Sequence, residues 1–159
     1  MSFRLRDFDP TTDRAAALSF IDGSQAYEHA FEADRRIDST VANDYLAALM
    51  GNVADQQGRV WVAEDAGQVI GWGVFVIGQS EVFVVEEQRN HGHIAELYVV
   101  EAFRGRGVGQ AMIAACEAET RRLGLTHVTI GLLAANRRAA DVYARAGYAP
   151  YAMELRKHL

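Results

Sequence analysis

The six residues Arg104-Gly105-Arg106-Gly107-Val108-Gly109 constrain this chain more than any others. They follow an apolar, strand-like run at 94–100 and precede a stretch in which Val108, Met112, Ala115 and Cys116 recur on one helical face. With a second strand-like run at 127–133 they outline a βαβ unit, whose two strands run parallel through a right-handed crossover. At the start of such a helix, unpaired N–H groups and the helix dipole attract an anion. Glycines let a phosphate approach the backbone, and Arg104 and Arg106 add charge suited to forked contacts with its oxygens. A tight turn that simply needs positive φ is the alternative reading of the same glycines. No Lys-Ser/Thr pair follows, as a P-loop requires, and Gly105-x-Gly107-x-Gly109 lacks the dinucleotide spacing. A pyrophosphate suits the turn, and neither ATP nor NAD is favoured.

The rest of the chain supplies the other elements. Residues 3–8 alternate as a half-buried strand does, and Asp9-Pro10-Thr11-Thr12 offers a turn and a helix cap. A helix is predicted from 13 to about 30, and Asp38-Ser39-Thr40 caps a second one in which Val41, Tyr45, Leu46 and Leu49 recur at helical spacing. The runs 59–64 and 68–77 flank Asp65-Ala66-Gly67 as a hairpin. Residues 79–90 show no clear period. Gly124 suits a helix C-cap, 136–145 reads as a helix, and Gly147-Tyr148 opens a final extended stretch. These elements predict an α/β or α+β fold with a mixed sheet. At 159 residues the chain is one ordinary domain, spanning 1–159.

Composition narrows the class. No apolar run approaches the ~20 residues that cross a bilayer, the first residues carry no apolar leader, and Cys116 has no second cysteine to pair with. A cytoplasmic, reducing setting is expected, with no membrane partner. The net charge is -5, and residues 1–57 hold ten acids against five arginines, whereas the remainder is balanced at eleven of each sign. Nucleic acid is a poor partner for such a chain.

Arg104-x-x-Gly107-x-Gly109 after the strand at 94–100 resembles the acyl-CoA pyrophosphate motif of GNAT acetyltransferases. Downstream, Asn136-x6-Tyr143-x3-Gly147-Tyr148 resembles that family's second signature. The resemblance implies the GNAT-type acyl-CoA N-acyltransferase fold: a mixed, mostly antiparallel sheet with a parallel βαβ cofactor unit and helices on both faces. It implies acetyl-CoA as co-substrate, with pyrophosphate on the amides of Arg104, Gly105, Arg106, Gly107, Val108 and Gly109. Val99 and its neighbours would pair with pantetheine, Asn136 would bond the cofactor, and Tyr143 would lie near the sulfur. The implied chemistry is direct attack of a neutral amine on the thioester, with N–H groups around Tyr98 and Val99 polarising the carbonyl. Tyr143 would protonate the departing thiolate, or else merely pack in the core.

An alkylamine must lose a proton to attack, and Glu96 is the candidate base. Strand alternation puts it on one face with Ile94, Tyr98 and Val100, either withdrawn from water with a raised pKa or beside an active-site water; a solvent-facing or salt-bridged Glu96 is the other reading. Peptide N-terminal acetyltransferases of this family often carry a glutamate five residues before the motif asparagine, where this chain has Gly131. Cys116, on an apolar helical face, reads as a small buried hydrophobe. His91 and His93 share a strand face but lack a third ligand at matching spacing, so no metal is expected. Arg137 and Arg138 follow the motif asparagine and either reach the adenosine phosphates of the implied cofactor or are solvated helix charge. In proteins of this resemblance the N-terminal helices form much of the acceptor side, and Asp22, Glu28, Glu32, Asp34 and Asp38 there favour a cationic amine. A non-catalytic acyl-CoA sensor is the alternative function. Sheet edges and residues 79–90 offer surfaces for a homodimer.

Overall fold

The computed structural model describes residues 3–159; Met1 and Ser2 lie outside the described residues. Along the chain run β1 (Arg4–Asp7), α1 (Arg14–His29), α2 (Val41–Asp55), β2 (Arg59–Asp65), β3 (Gln68–Gln79), the one-turn α3 (Glu86–Arg89) and β4 (Asn90–Val99). After them come a 3-10 turn (Glu101–Phe103), α4 (Val108–Arg122), β5 (Val128–Ile130) and α5 (Arg137–Arg145). The sheet order is β1-β2-β3-β4-β5, antiparallel throughout except for the parallel β4–β5 pair. The mixed sheet and its parallel crossover through α4 are those expected from the sequence.

Helices cover both faces. Phe20 and Ile21 of α1, and Leu46 and Leu49 of α2, pack with Val62, Trp72 and Val74 of the sheet. On the opposite face Ile113 and Cys116 of α4 pack with Trp61, Phe75 and Ile94, and Val142 and Tyr143 of α5 adjoin this cluster. Trp72 and Phe75 are wholly buried, and withdrawing a side chain of that size from water contributes roughly 2–3 kcal/mol. Met112 lies over Gly73, with its Cβ 3.3 Å from where a Cβ on the glycine would stand, so the missing side chain lets α4 settle on β3.

The β2–β3 hairpin turns at Ala66 and Gly67, with φ of 48° and 83°. This two-residue geometry matches the twist of its strands. Two stretches differ from the sequence reading. The last strand covers only Val128–Ile130 instead of 127–133, because beyond Ile94↔Ile130 the two parallel strands separate. The stretch that follows Gly147-Tyr148 joins no strand ladder, and Tyr151, Met153 and Leu155 are exposed along it.

Candidate active site

A cleft of about 460 Å³ opens where β4 and β5 part, walled by Ile94 to Val99 of β4, by Gly131 and Leu132 beyond β5, by the first turn of α4, and by α5. From Ala95 onward this edge of β4 has no ladder partner in β5. Its backbone groups are thereby available to an extended guest.

The glycine-rich turn forms one end of the cleft. Gly105 and Gly107 have φ of 74° and 84°, a left-handed geometry that L residues rarely adopt; a Cβ added at Gly105 would enter open space, and one at Gly107 would meet only Gln110 Oε1 at 3.9 Å. The positive φ that these positions require also leaves a hollow in front of the backbone. Gly107 is the N-cap of α4, and Ala111 N donates to Gly107 O at 2.9 Å, so the amides of Val108, Gly109 and Gln110 have no partner within the helix. This cradle suits a pyrophosphate. Arg104 is placed differently from the sequence expectation. Its Nε donates to Val99 O at 2.8 Å and its guanidinium lies over the Tyr98 ring at 5.6 Å, so it braces the end of β4. The Arg106 guanidinium lies over Phe103.

At the other end stands Glu96. Register jumps from Val74↔Glu96 to Phe75↔Ile94, which leaves Ala95 as an extra residue in β4. This bulge reverses alternation. Ile94 consequently faces α4, while Tyr98 and Val100 face α1 and α2, so the expectation that Glu96 shares a face with Ile94 is corrected and its grouping with Tyr98 and Val100 stands. Glu96 is partly buried and Tyr45 Oη of α2 donates to its Oε1 at 2.6 Å. Among the described residues it makes no ion pair, which removes the salt-bridged reading. Burial pushes the carboxyl up to about 7; the Tyr45 hydrogen bond opposes that rise and the negative charge of Glu28 adds to it.

Tyr143 of α5 lines the same cleft, its hydroxyl pushed up to about 12 by burial and by the charges of Glu96 and Glu28. It remains protonated at neutral pH. Asn136 is the N-cap of α5, where its Oδ1 accepts from Ala139 N at 3.1 Å, and it also lines the cleft. Tyr98, Val99, Arg104, Gly105, Gly107, Val108 and Gly109 reach this cleft too.

Other residues fall outside the chemistry. Cys116 is fully buried with its thiol pushed up to about 12, so it stays protonated and inert. His93 Nδ1 meets Thr129 Oγ1 at 2.8 Å and His91 stacks on His127. Among the described residues, no group of three or more His, Cys, Asp or Glu could hold a metal ion. Arg138 lines the cleft. Of Asp22, Glu28, Glu32, Asp34 and Asp38, only Glu28 lines the cleft; Asp38 is held by Arg36, and Glu32 and Asp34 by Arg156. Tyr45 was missed as a site residue. Its signal was a hydroxyl on an otherwise apolar helical face, since a buried tyrosine hydroxyl needs a partner.

The model of the acetyltransferase (GNAT) family matches residues 22–148, and the chain belongs to that family, whose members are acyltransferases using acetyl-CoA. It is 27% identical over 141 residues to the uncharacterized N-acetyltransferase YdgE of Bacillus subtilis (strain 168), covering 89% of this chain and 75% of the relative. It is 32% identical over 108 residues to the aminoglycoside N(6')-acetyltransferase type 1 of Stenotrophomonas maltophilia, covering 67% of each. A mutant of the BH1408 protein from Bacillus halodurans superposes with a TM-score of 0.81 at 18% identity, over 100% of this chain and 99% of that one. A predicted acetyltransferase from Clostridium acetobutylicum, solved with acetyl-CoA, gives 0.70 at 18% identity, over 99% and 96%. At such identities the structures speak for the fold. No helix among the described residues is long and apolar enough to cross a membrane.

Proposed function

We propose that this protein transfers an acetyl group from acetyl-CoA to a primary amine by direct attack, with Glu96 as base and Tyr143 as acid. The observation that carries this reading is the meeting of these two side chains, from β4 and α5, in one cleft that also ends in the open Gly105–Gly107 cradle. The cradle amides of residues 105–109 hold the pyrophosphate, the Arg104 amide being taken by Glu101 O at 3.1 Å, and the splayed edge of β4 at Tyr98 and Val99 holds the pantetheine arm through the groups that Arg104, on Val99 O, leaves free. Asn136 lies along the same wall and orients that arm.

Glu96 takes a proton from the acceptor ammonium, directly or through a water, which frees the nitrogen lone pair. The new N–C bond forms as the C–S bond breaks, negative charge on the carbonyl oxygen is met by backbone N–H at Tyr98 or Val99, and Tyr143 passes its proton to the leaving sulfur. Solvent restores Tyr143. A carboxyl near 7 is well matched to this task, since it is substantially ionised at neutral pH and still basic enough to accept a proton. Gly131, where a Cβ would meet nothing within 4 Å, leaves that part of the cleft wall open. The buried thiol of Cys116 fits a reducing cytoplasm. Exposed Val82, Phe83 and Val85 put apolar surface in the 79–90 segment that the sequence offers for a homodimer.

Replacing Glu96 with Gln lowers kcat/KM about 10²–10³-fold and abolishes an acid limb near pH 7, and Tyr143→Phe lowers kcat roughly tenfold or more, while both bind CoA as the parent does. Calorimetric CoA titrations beside steady-state kinetics check this. Unchanged kinetics in both variants would remove Glu96 and Tyr143 from the chemistry, whereas CoA binding without turnover in the parent would support the alternative, an acyl-CoA sensor.

A further inference from the structure

Glu28, near the end of α1, is the one member of the acidic N-terminal group that lines the cleft, and it does so beside Ser24 and Tyr27, across from Glu96 and Tyr143. A guanidinium already sits on it: Arg35 Nε donates to Glu28 Oε2 at 3.1 Å, and Arg35 also pairs with Asp34 at 3.6 Å. Both partners remain about one-third exposed, so the pair is open to exchange. Glu96, by contrast, is partly buried on the cleft wall and is held by the Tyr45 hydroxyl instead of by a cation.

Two carboxylates in one cleft, one held by a hydroxyl and one holding an exchangeable cation, have separate uses. We propose that Glu28 is the acceptor-specificity residue, receiving a second, permanently protonated ammonium of a di- or polyamine while the reacting amine of the same molecule meets Glu96. This rests on the transfer reaction proposed above. Arg35 holds the place of that ammonium until the acceptor arrives, and the two compete for Glu28. A monoamine can reach Glu96 but has nothing to offer Glu28.

The arrangement links recognition to catalysis. Glu96 is faced by Tyr45 from α2, Glu28 from α1 and Tyr143 from α5, with Tyr98 beside it on β4 and Arg35 beyond Glu28. Of these, Glu28 is the negative charge that favours the protonated carboxyl. An ammonium on Glu28 offsets that charge and favours the ionised, proton-accepting form.

The test compares 1,4-diaminobutane with butylamine as acceptors for the parent, Glu28→Gln and Arg35→Ala proteins, following thiol release from acetyl-CoA between pH 6 and 9. The parent is expected to favour the diamine in kcat/KM by roughly tenfold or more, the range for a charge-assisted contact. In Glu28→Gln the preference collapses toward unity through the diamine KM, and the acid limb moves to lower pH, which a purely structural role would not produce. Arg35→Ala lowers the diamine KM, because Glu28 then has no resident competitor. Equal use of both amines by the parent, or an unchanged preference and limb in Glu28→Gln, would overturn the assignment of Glu28 while leaving the transfer reaction intact. Absence of turnover with either amine, together with no diamine binding by calorimetry in the CoA-loaded parent, would overturn both.

Discussion

The Tyr45 hydroxyl and the Glu96 carboxylate, 51 residues apart in sequence, meet at 2.6 Å. The bond stabilises the ionised carboxylate against the desolvation that raises its pKa. Tyr45→Phe therefore lifts the Glu96 pKa above about 7, so the acid limb of kcat/KM moves to higher pH and activity lost at pH 7 returns as the medium becomes more alkaline. A pH–rate profile checks the direction; a limb that moves down or stays in place contradicts it. At this scale the sequence revealed unequal amounts. Glu96 stands out as a carboxylate within an apolar strand, whereas Tyr143 was reached through the resemblance of Asn136-x6-Tyr143 to the family's signature. Tyr45 was not legible, because helical spacing accounts for it as a core residue and says nothing of a partner on a distant strand. Glu28 was only one of several acids, and its place in the cleft depends on how α1 lies against the sheet.

Two elements define the cofactor side, the α4 N-terminus and the splayed end of β4. Gly107 holds φ of 84° at the N-cap, and its missing Cβ leaves the cradle open. Gly107→Ala should lower stability by about 1–2 kcal/mol from left-handed strain and weaken CoA binding roughly tenfold, about 1.4 kcal/mol, by filling the cradle. Gly67, with φ of 83° in the β2–β3 turn, is the control: its alanine variant loses comparable stability and keeps its CoA affinity. Thermal melts and CoA titrations of the two variants separate strain from occlusion, and equal CoA affinity in Gly107→Ala would argue against the cradle. Most elements were readable in the sequence because their period and turn residues agree. The bulge at Ala95 was not, since no glycine or proline marks it and its cause is register against β3. Beyond Ile130 the apolar run continues without a ladder, because strand separation depends on the whole sheet.

Across the molecule, an ion network ties the first strand to the first helix. Arg6 donates to both oxygens of the buried Asp13 at 2.6 and 2.8 Å, and to Glu64 at 2.7 Å. Asp13 also accepts from Asp9 N and is held below the usual carboxylate range, chiefly by Arg6. Its folded pKa is depressed, so its contribution is present above the ordinary 3.8 and is lost as pH falls through the lower folded value. Arg6→Ala leaves that carboxylate buried without its cation and should remove about 2–3 kcal/mol at pH 7, less than for a fully buried pair because Arg6 keeps some contact with water. The same variant loses less further stability between pH 4 and 2 than the parent; denaturant titrations at both pH values check this. As a whole, the fold is proposed to transfer acetyl groups to amines, and thiol release from acetyl-CoA, measured over monoamines, polyamines, aminoglycosides, amino acids and peptide N-termini, decides this. Acceptor-dependent release that favours cationic amines is expected, whereas tight CoA binding with no release above background for any amine would rule the transfer reaction out.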